Sequence, residues 1–132
     1  MRKNLMTKLL VGVVASGFLL AGCSSSSDTA TAKRACVILP DADSGTRWEP
    51  GDRPALEKAF TDAGFEADIQ NAQSDTAKYA TIADQQLSKG CGVMILVDYQ
   101  GAGVKVAEKA KAQGIPVIAY DRPIAGADYY VS

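Results

Sequence analysis

Two apolar runs in the second half of the chain have no polar alternation: Val93-Met94-Ile95-Leu96-Val97 and Val117-Ile118-Ala119. Such a run reads as a strand buried on both faces, the kind found inside parallel sheets covered by helices. The first run stops at Asp98 and the second, after Tyr120, at Asp121-Arg122. In open α/β sheets, ligands bind beyond the carboxyl ends of the strands. Asp121 and Arg122 stand at such an end. A carboxylate accepts from hydroxyls and a guanidinium offers a planar fork of donors, so the pair suits a small polyhydroxy ligand. A surface ion pair at a strand end is the plainer alternative.

The rest of the chain supplies the partners of these strands. Ala35-Cys36-Val37-Ile38-Leu39 is a third buried run, ended by Pro40 and followed by a polar loop, residues 41–51, that carries Arg47 and Trp48. Asp52 stands where it can cap a helix with Pro54 in its first turn. Leu56, Ala59, Phe60 and Ala63 recur at helical spacing up to Gly64. Phe65, Ala67 and Ile69 then alternate with polar residues, which reads as a strand nearer a sheet edge. Ser74 or Asp75 can cap a second helix whose inner face carries Tyr79, Ile82, Ala83 and Leu87, with Gly90 as its stop. A third helix, about 103–113, turns Val104, Ala107 and Ala110 inward. Tyr129-Tyr130-Val131 begins a last strand. Strands alternating with short helices predict an α/β fold, a doubly wound, Rossmann-like parallel sheet. Nothing after the last strand covers it, so the chain reads as most of one lobe rather than a finished domain.

The first 22 residues have a different character. Arg2, Lys3 and Lys8 precede an apolar stretch, Leu9 to Leu20, and small residues follow it. This is the pattern of an export signal. The stretch is too short for the roughly 20 residues a membrane-spanning helix needs. Leu20-Ala21-Gly22-Cys23 resembles the lipobox of bacterial lipoproteins, which implies cleavage before Cys23 and a lipid on its sulfur. Residues 23–34 then form a Ser-rich tether, which composition makes flexible, and residues 35–132 the partial lobe. Without the signal, 11 Lys+Arg face 15 Asp+Glu. A mildly acidic domain with no basic run is not expected to bind nucleic acid.

The chain has no histidine, which removes the commonest general base and metal ligand. No serine elbow and no set of residues with metal-ligand spacing appears, so neither enzyme activity nor a metal or cofactor is expected. Gly101-Ala102-Gly103 lies between a strand and a helix, but Val106 stands where a dinucleotide fingerprint needs its third glycine. Cys36 and Cys91 remain either as a disulfide of an extracytoplasmic protein or as two small buried thiols. Trp48 can stack on the C–H face of a sugar ring, or it can lie over core as a lid. Asp41, Asp43 and Asp98 could imitate the acidic pocket of a phospho-acceptor receiver domain, although an export signal argues against that.

Arg47-Trp48 after the first strand, Gly92 to Val97, and Ile115 to Arg122 together resemble the sugar-binding proteins of bacterial ABC importers, the xylose and multiple-monosaccharide binders above all. Asp128 to Ser132 is similar to the segment that follows in them. The resemblance covers residues 35–132. It implies a type I periplasmic-binding-protein lobe, a monosaccharide ligand and an ABC permease as partner, with the protein lipid-anchored on the extracytoplasmic face. It also implies that Arg47, Asp121 and Arg122 contact an aldose, with Trp48 beside it. Members of the family are about twice as long and complete the site from a second lobe. This chain is therefore expected to hold half a sugar site and to bind poorly alone.

Overall fold

The computed structural model describes residues 33–42 and 45–132. Along the chain run β1 (Arg34–Leu39), a five-residue π-helical turn (Trp48–Asp52), α1 (Arg53–Asp62), β2 (Glu66–Asn71) and α2 (Thr76–Lys89). They are followed by β3 (Val93–Leu96), α3 (Ala102–Ala112), β4 (Val117–Tyr120) and β5 (Tyr129–Val131). The strands form a parallel sheet in the order β2-β1-β3-β4-β5. The chain moves one way from β1 to β2 and the other way from β3 onward. Between β1 and β3, therefore, the connecting loops part and leave a crevice at the carboxyl edge.

Strand alternation divides the core in two. Cys36, Ile38, Met94, Leu96, Val117 and Ala119 face α2 and α3, whereas Ala35, Val37, Leu39, Ile95 and Val97 face α1 and Trp48. On the α2 side, Asp75 caps the helix by accepting from the N–H groups of Ala77 (2.7 Å) and Lys78 (3.0 Å). Tyr79 is buried and its hydroxyl donates to the Val97 carbonyl at 3.0 Å; burial pushes its pKa up. Gln86 shares the inner face of α2, and its amide nitrogen donates to the carbonyls of Val37 (3.2 Å) and Asp68 (2.8 Å). Apolar periodicity passes over such a residue because its type is polar. Cys36 and Cys91 are joined as a disulfide beneath α2, sulfurs 2.02 Å apart, tying β1 to the entry of β3.

Several local expectations change. Asp52 makes no cap bond to α1, because its carboxylate accepts from Arg47 Nε at 3.2 Å instead. The chain enters α1 through the π-helical turn, where the N–H groups of Gly51 and Asp52 both donate to the Arg47 carbonyl (2.9 and 2.8 Å). Of the apolar residues of α1, Leu56 and Phe60 are partly buried, while Ala59, and Ala63 just past its end, face outward. In α3 the inner face is set by Gly103, Val106, Ala107 and Ala110, with Val104 only partly covered. β4 is buried on one face alone: Val117 and Ala119 are inside, and Ile118 and Tyr120 are half-buried. Among the described residues, no helix covers that part of the sheet on the α1 side.

Candidate ligand site at the carboxyl edge of the sheet

Three loops at the carboxyl edge meet over Trp48. From the β4 end come Asp121 and Arg122, from the loop after β1 comes Arg47, and from the β3 end comes the backbone of Asp98. The Asp121 carboxylate lies 2.8 Å from Arg47 Nη2 and 3.6 Å from Arg122 Nε, one oxygen toward each. Arg47 also donates to Asp52. Its pKa is raised further, chiefly by the hydrogen bond to Asp121. Arg122 Nη1 donates to the Asp98 carbonyl at 2.7 Å. Strands far apart in sequence thus deliver two guanidinium groups and one carboxylate to a single place. All three side chains remain partly open to solvent, with 48%, 42% and 23% of Arg47, Arg122 and Asp121 exposed.

Trp48 is only 3% exposed. The indole packs with Val37, Leu39 and Ile95, and Tyr120 meets it edge-on with ring centroids 6.3 Å apart. The guanidinium of Arg47 lies 4.3 Å over its ring and that of Arg122 at 5.9 Å. Of the two readings of Trp48, a sugar-stacking face or a lid over core, the structure has the lid, and Arg47 covers it. The π-helical turn turns the ring inward, and apolar burial of a large aromatic surface holds it there.

A second layer fixes that turn. Arg53 donates to the Glu49 carboxylate through Nε (2.5 Å) and Nη2 (3.0 Å), and through Nη1 to the Ile69 carbonyl (2.6 Å). Asn71 Nδ2 donates both to Glu49 Oε1 and to the Asp41 carbonyl, each at 2.7 Å. Glu49 is held below the usual carboxylate range, first by Arg53 and then by Asn71. This network pins the segment bearing Arg47 and Trp48 to β2.

A model of the family described as periplasmic binding protein domain matches residues 36–132. The chain belongs to that family. It is 29% identical over 130 residues to a multiple sugar-binding periplasmic protein of Azospirillum brasilense, covering 96% of this chain and 36% of that protein. Against a D-xylose-binding periplasmic protein of Escherichia coli K12 it is 30% identical over 89 residues, 65% of this chain and 27% of that one. The chain therefore spans about a third of the length of these relatives. Among solved structures, an ABC transporter solute-binding protein of Clostridium phytofermentans with bound β-D-glucose superposes with a TM-score of 0.66. Identity there is 32%, over 73% of this chain and 30% of that one. A carbohydrate transporter solute-binding protein of Chloroflexus aurantiacus in complex with D-glucose gives 0.64 at 32% identity, over 74% of this chain and 29% of that one.

In this periplasmic-binding-protein lobe, Arg47, Asp121 and Arg122 are brought together, with Trp48 directly beneath them. Cys23 and Asp43 lie outside the described residues. The acidic pocket that a receiver domain would need is not favoured. Both Asp98 carboxylate oxygens accept from the N–H groups opening α3, Gly101 (2.9 Å) and Gly103 (2.8 Å). Asp98 thus serves as a helix-start acceptor. A Cβ at Gly103 would come within 2.8 Å of that carboxylate, so glycine suits the close approach. No group of three His, Cys, Asp or Glu side chains among the described residues is placed to hold a metal. Likewise, no described helix is long and apolar enough to cross a membrane. Sequence reasoning missed Glu49, Arg53 and Asn71. The four-residue spacing of Glu49 and Arg53 was a usable signal, but Asn71 joins them only through the fold.

Proposed function

We propose that this chain is the sugar-binding first lobe of an extracytoplasmic solute-binding protein that serves a carbohydrate ABC importer. The observation that carries the reading is the meeting of Arg47, Asp121 and Arg122 at the carboxyl edge, where neither Asp121 oxygen faces water alone. A pyranose offers adjacent hydroxyls that both donate and accept. Asp121 accepts from two of them, and Arg47 and Arg122 donate to their oxygens, so the sugar exchanges one set of charge-assisted bonds for another. Arg47, drawn toward the ligand, leaves the indole of Trp48, whose freed face then takes the ring. The names of the relatives and the glucose in two similar structures support a monosaccharide, and the xylose-binding relative favours an aldose of that kind.

A second lobe closes over the sugar about a hinge, and the permease reads the closed form. The export-signal pattern of residues 1–22 and the lipobox-like Leu20-Ala21-Gly22-Cys23 support a position on the extracytoplasmic face, held by a lipid. By itself this wall is a weak binder. Four bonds of about 1.5 kcal/mol each, the low end for charged partners in water, exceed the roughly 4 kcal/mol of lost translation and rotation by only about 2 kcal/mol. That leaves binding weaker than millimolar. Calorimetry of the 132-residue chain with D-xylose, D-glucose, D-galactose and L-arabinose is expected to be silent. The same titration on a protein carrying a second lobe is expected to give micromolar binding of at least one. Tight binding by this chain alone would overturn the two-lobe account, and silence of the two-lobed protein toward every aldose would overturn the sugar assignment.

A further inference from the structure

The backbone at Asp121 is unusual. Its φ is +67°, and the N–H of Arg122 donates to the Tyr120 carbonyl, two residues back, at 2.8 Å. A turn closed over three residues around a positive-φ centre is the rare, strained form of the γ-turn. For a residue with a Cβ, such a conformation persists only where the surroundings over-determine it. Here the surroundings are two consecutive residues of β5. The Asp121 N–H donates to the Val131 carbonyl at 2.7 Å, and the Asp121 carbonyl accepts from the Tyr130 hydroxyl at 3.1 Å. Both polar groups of the strained residue are held from one side, by a strand that buries almost nothing. Tyr130 is 53% exposed, so packing does not explain its place.

We propose that Tyr130 is a positioning residue of the ligand site: its hydroxyl, with the Val131 carbonyl, holds the strained turn that aims Asp121 at Arg47 and Arg122 at Asp98. Its consequence for sugar binding rests on the function proposed above; its consequence for the free site does not. If the turn relaxes, Asp121 leaves Arg47, which then keeps only Asp52 as its anchor over the Trp48 ring and covers it less closely. Trp48 is the single tryptophan of the chain, so its fluorescence reports the event without any ligand.

The experiment compares Tyr130→Phe, which removes only the oxygen, with Tyr129→Phe. Tyr129 lies next to it on β5, is 66% exposed, and its hydroxyl makes no hydrogen bond among the described residues. Losing one neutral hydrogen bond shifts the turn's population by about two- to tenfold. Acrylamide quenching of Trp48 in the 132-residue chain is expected to rise in Y130F and to stay at the parent value in Y129F. In the two-lobed protein, sugar affinity is expected to fall by the same factor in Y130F only. Equal quenching in the three proteins would overturn the proposal. So would a lower melting temperature in Y130F with unchanged quenching, since the hydroxyl would then serve stability alone. If the two-lobed protein binds no sugar, the functional reading fails, but the quenching contrast still decides the role of Tyr130.

Discussion

Cutting the Cys36–Cys91 link gives the most direct quantitative test of how this lobe is held together. The two cysteines are 55 residues apart, and the segment they enclose contains α1, β2 and α2. Closing a loop of that length removes unfolded-state freedom worth about 4 kcal/mol in the chain-entropy model. Domains of this size have only about 5–15 kcal/mol in total. Losing the link therefore removes a large fraction of the stability without touching the ligand edge. Both sulfurs are buried, so a C36A/C91A double variant adds two small voids at about 1 kcal/mol each. The reduced parent keeps the sulfur atoms and isolates the cross-link. With a urea slope of about 1–1.5 kcal/mol per molar for a small domain, the midpoint falls about 3 M on reduction and further in the double variant. Urea titrations followed by Trp48 fluorescence, with and without a phosphine reductant, measure both. A midpoint unmoved by reduction, with thiol labelling confirming that the bond is open, would refute the entropic account of this disulfide.

Three further outcomes are expected. Asp121→Asn keeps the shape but loses the charge; a charge-assisted bond contributes about 1.5–3 kcal/mol, so sugar affinity of the two-lobed protein falls by about ten- to a hundredfold. Calorimetry reads the loss, and unchanged affinity would remove Asp121 from the site. Glu49→Gln tests the layer beneath. The folded pKa of Glu49 is lowered below 4.5, first by Arg53, so its contribution is present above that value and is lost as pH falls through the folded pKa. The pair is partly exposed, which limits the difference at neutral pH to about 1 kcal/mol or less. Denaturation at pH 7 and in acid should show the parent's advantage over E49Q vanish as pH falls, whereas a pH-independent gap would contradict the assignment. Cys23→Ser is expected to abolish fatty-acid labelling in cells, and equal label on variant and parent would reject the lipid anchor.

How far the chain could be read without its fold differs from element to element. Val93 to Val97 and Val117 to Ala119 announced parallel strands because continuous apolar runs have few other homes. Asp121-Arg122 announced a polar cluster at the carboxyl edge because strand ends in such sheets are where polar side chains converge. Tyr79, Ile82, Ala83 and Leu87 defined a helix face by period alone. Gln86 lies on that same face, and only the carbonyls of Val37 and Asp68 explain it. Those carbonyls come from two strands that no local pattern brings together.

The same division runs through the site. The residue types at 47, 48, 121 and 122 suggested hydroxyl recognition, since acids and guanidinium groups beside an aromatic have that chemistry in any fold. Their geometry was decided by tertiary structure. Trp48 turned inward because α1 alone covers its side of the sheet, which leaves an apolar gap that the indole fills. Arg47 folded over it because Asp52 and Asp121 lie on either side at bonding distance. Tyr130 became part of the site only because β5 lies parallel against β4 and brings its hydroxyl to the Asp121 carbonyl. Composition and period are local quantities, and they report what a segment buries. Which polar groups face one another depends on the crossovers that close the sheet, and those are a property of the whole chain.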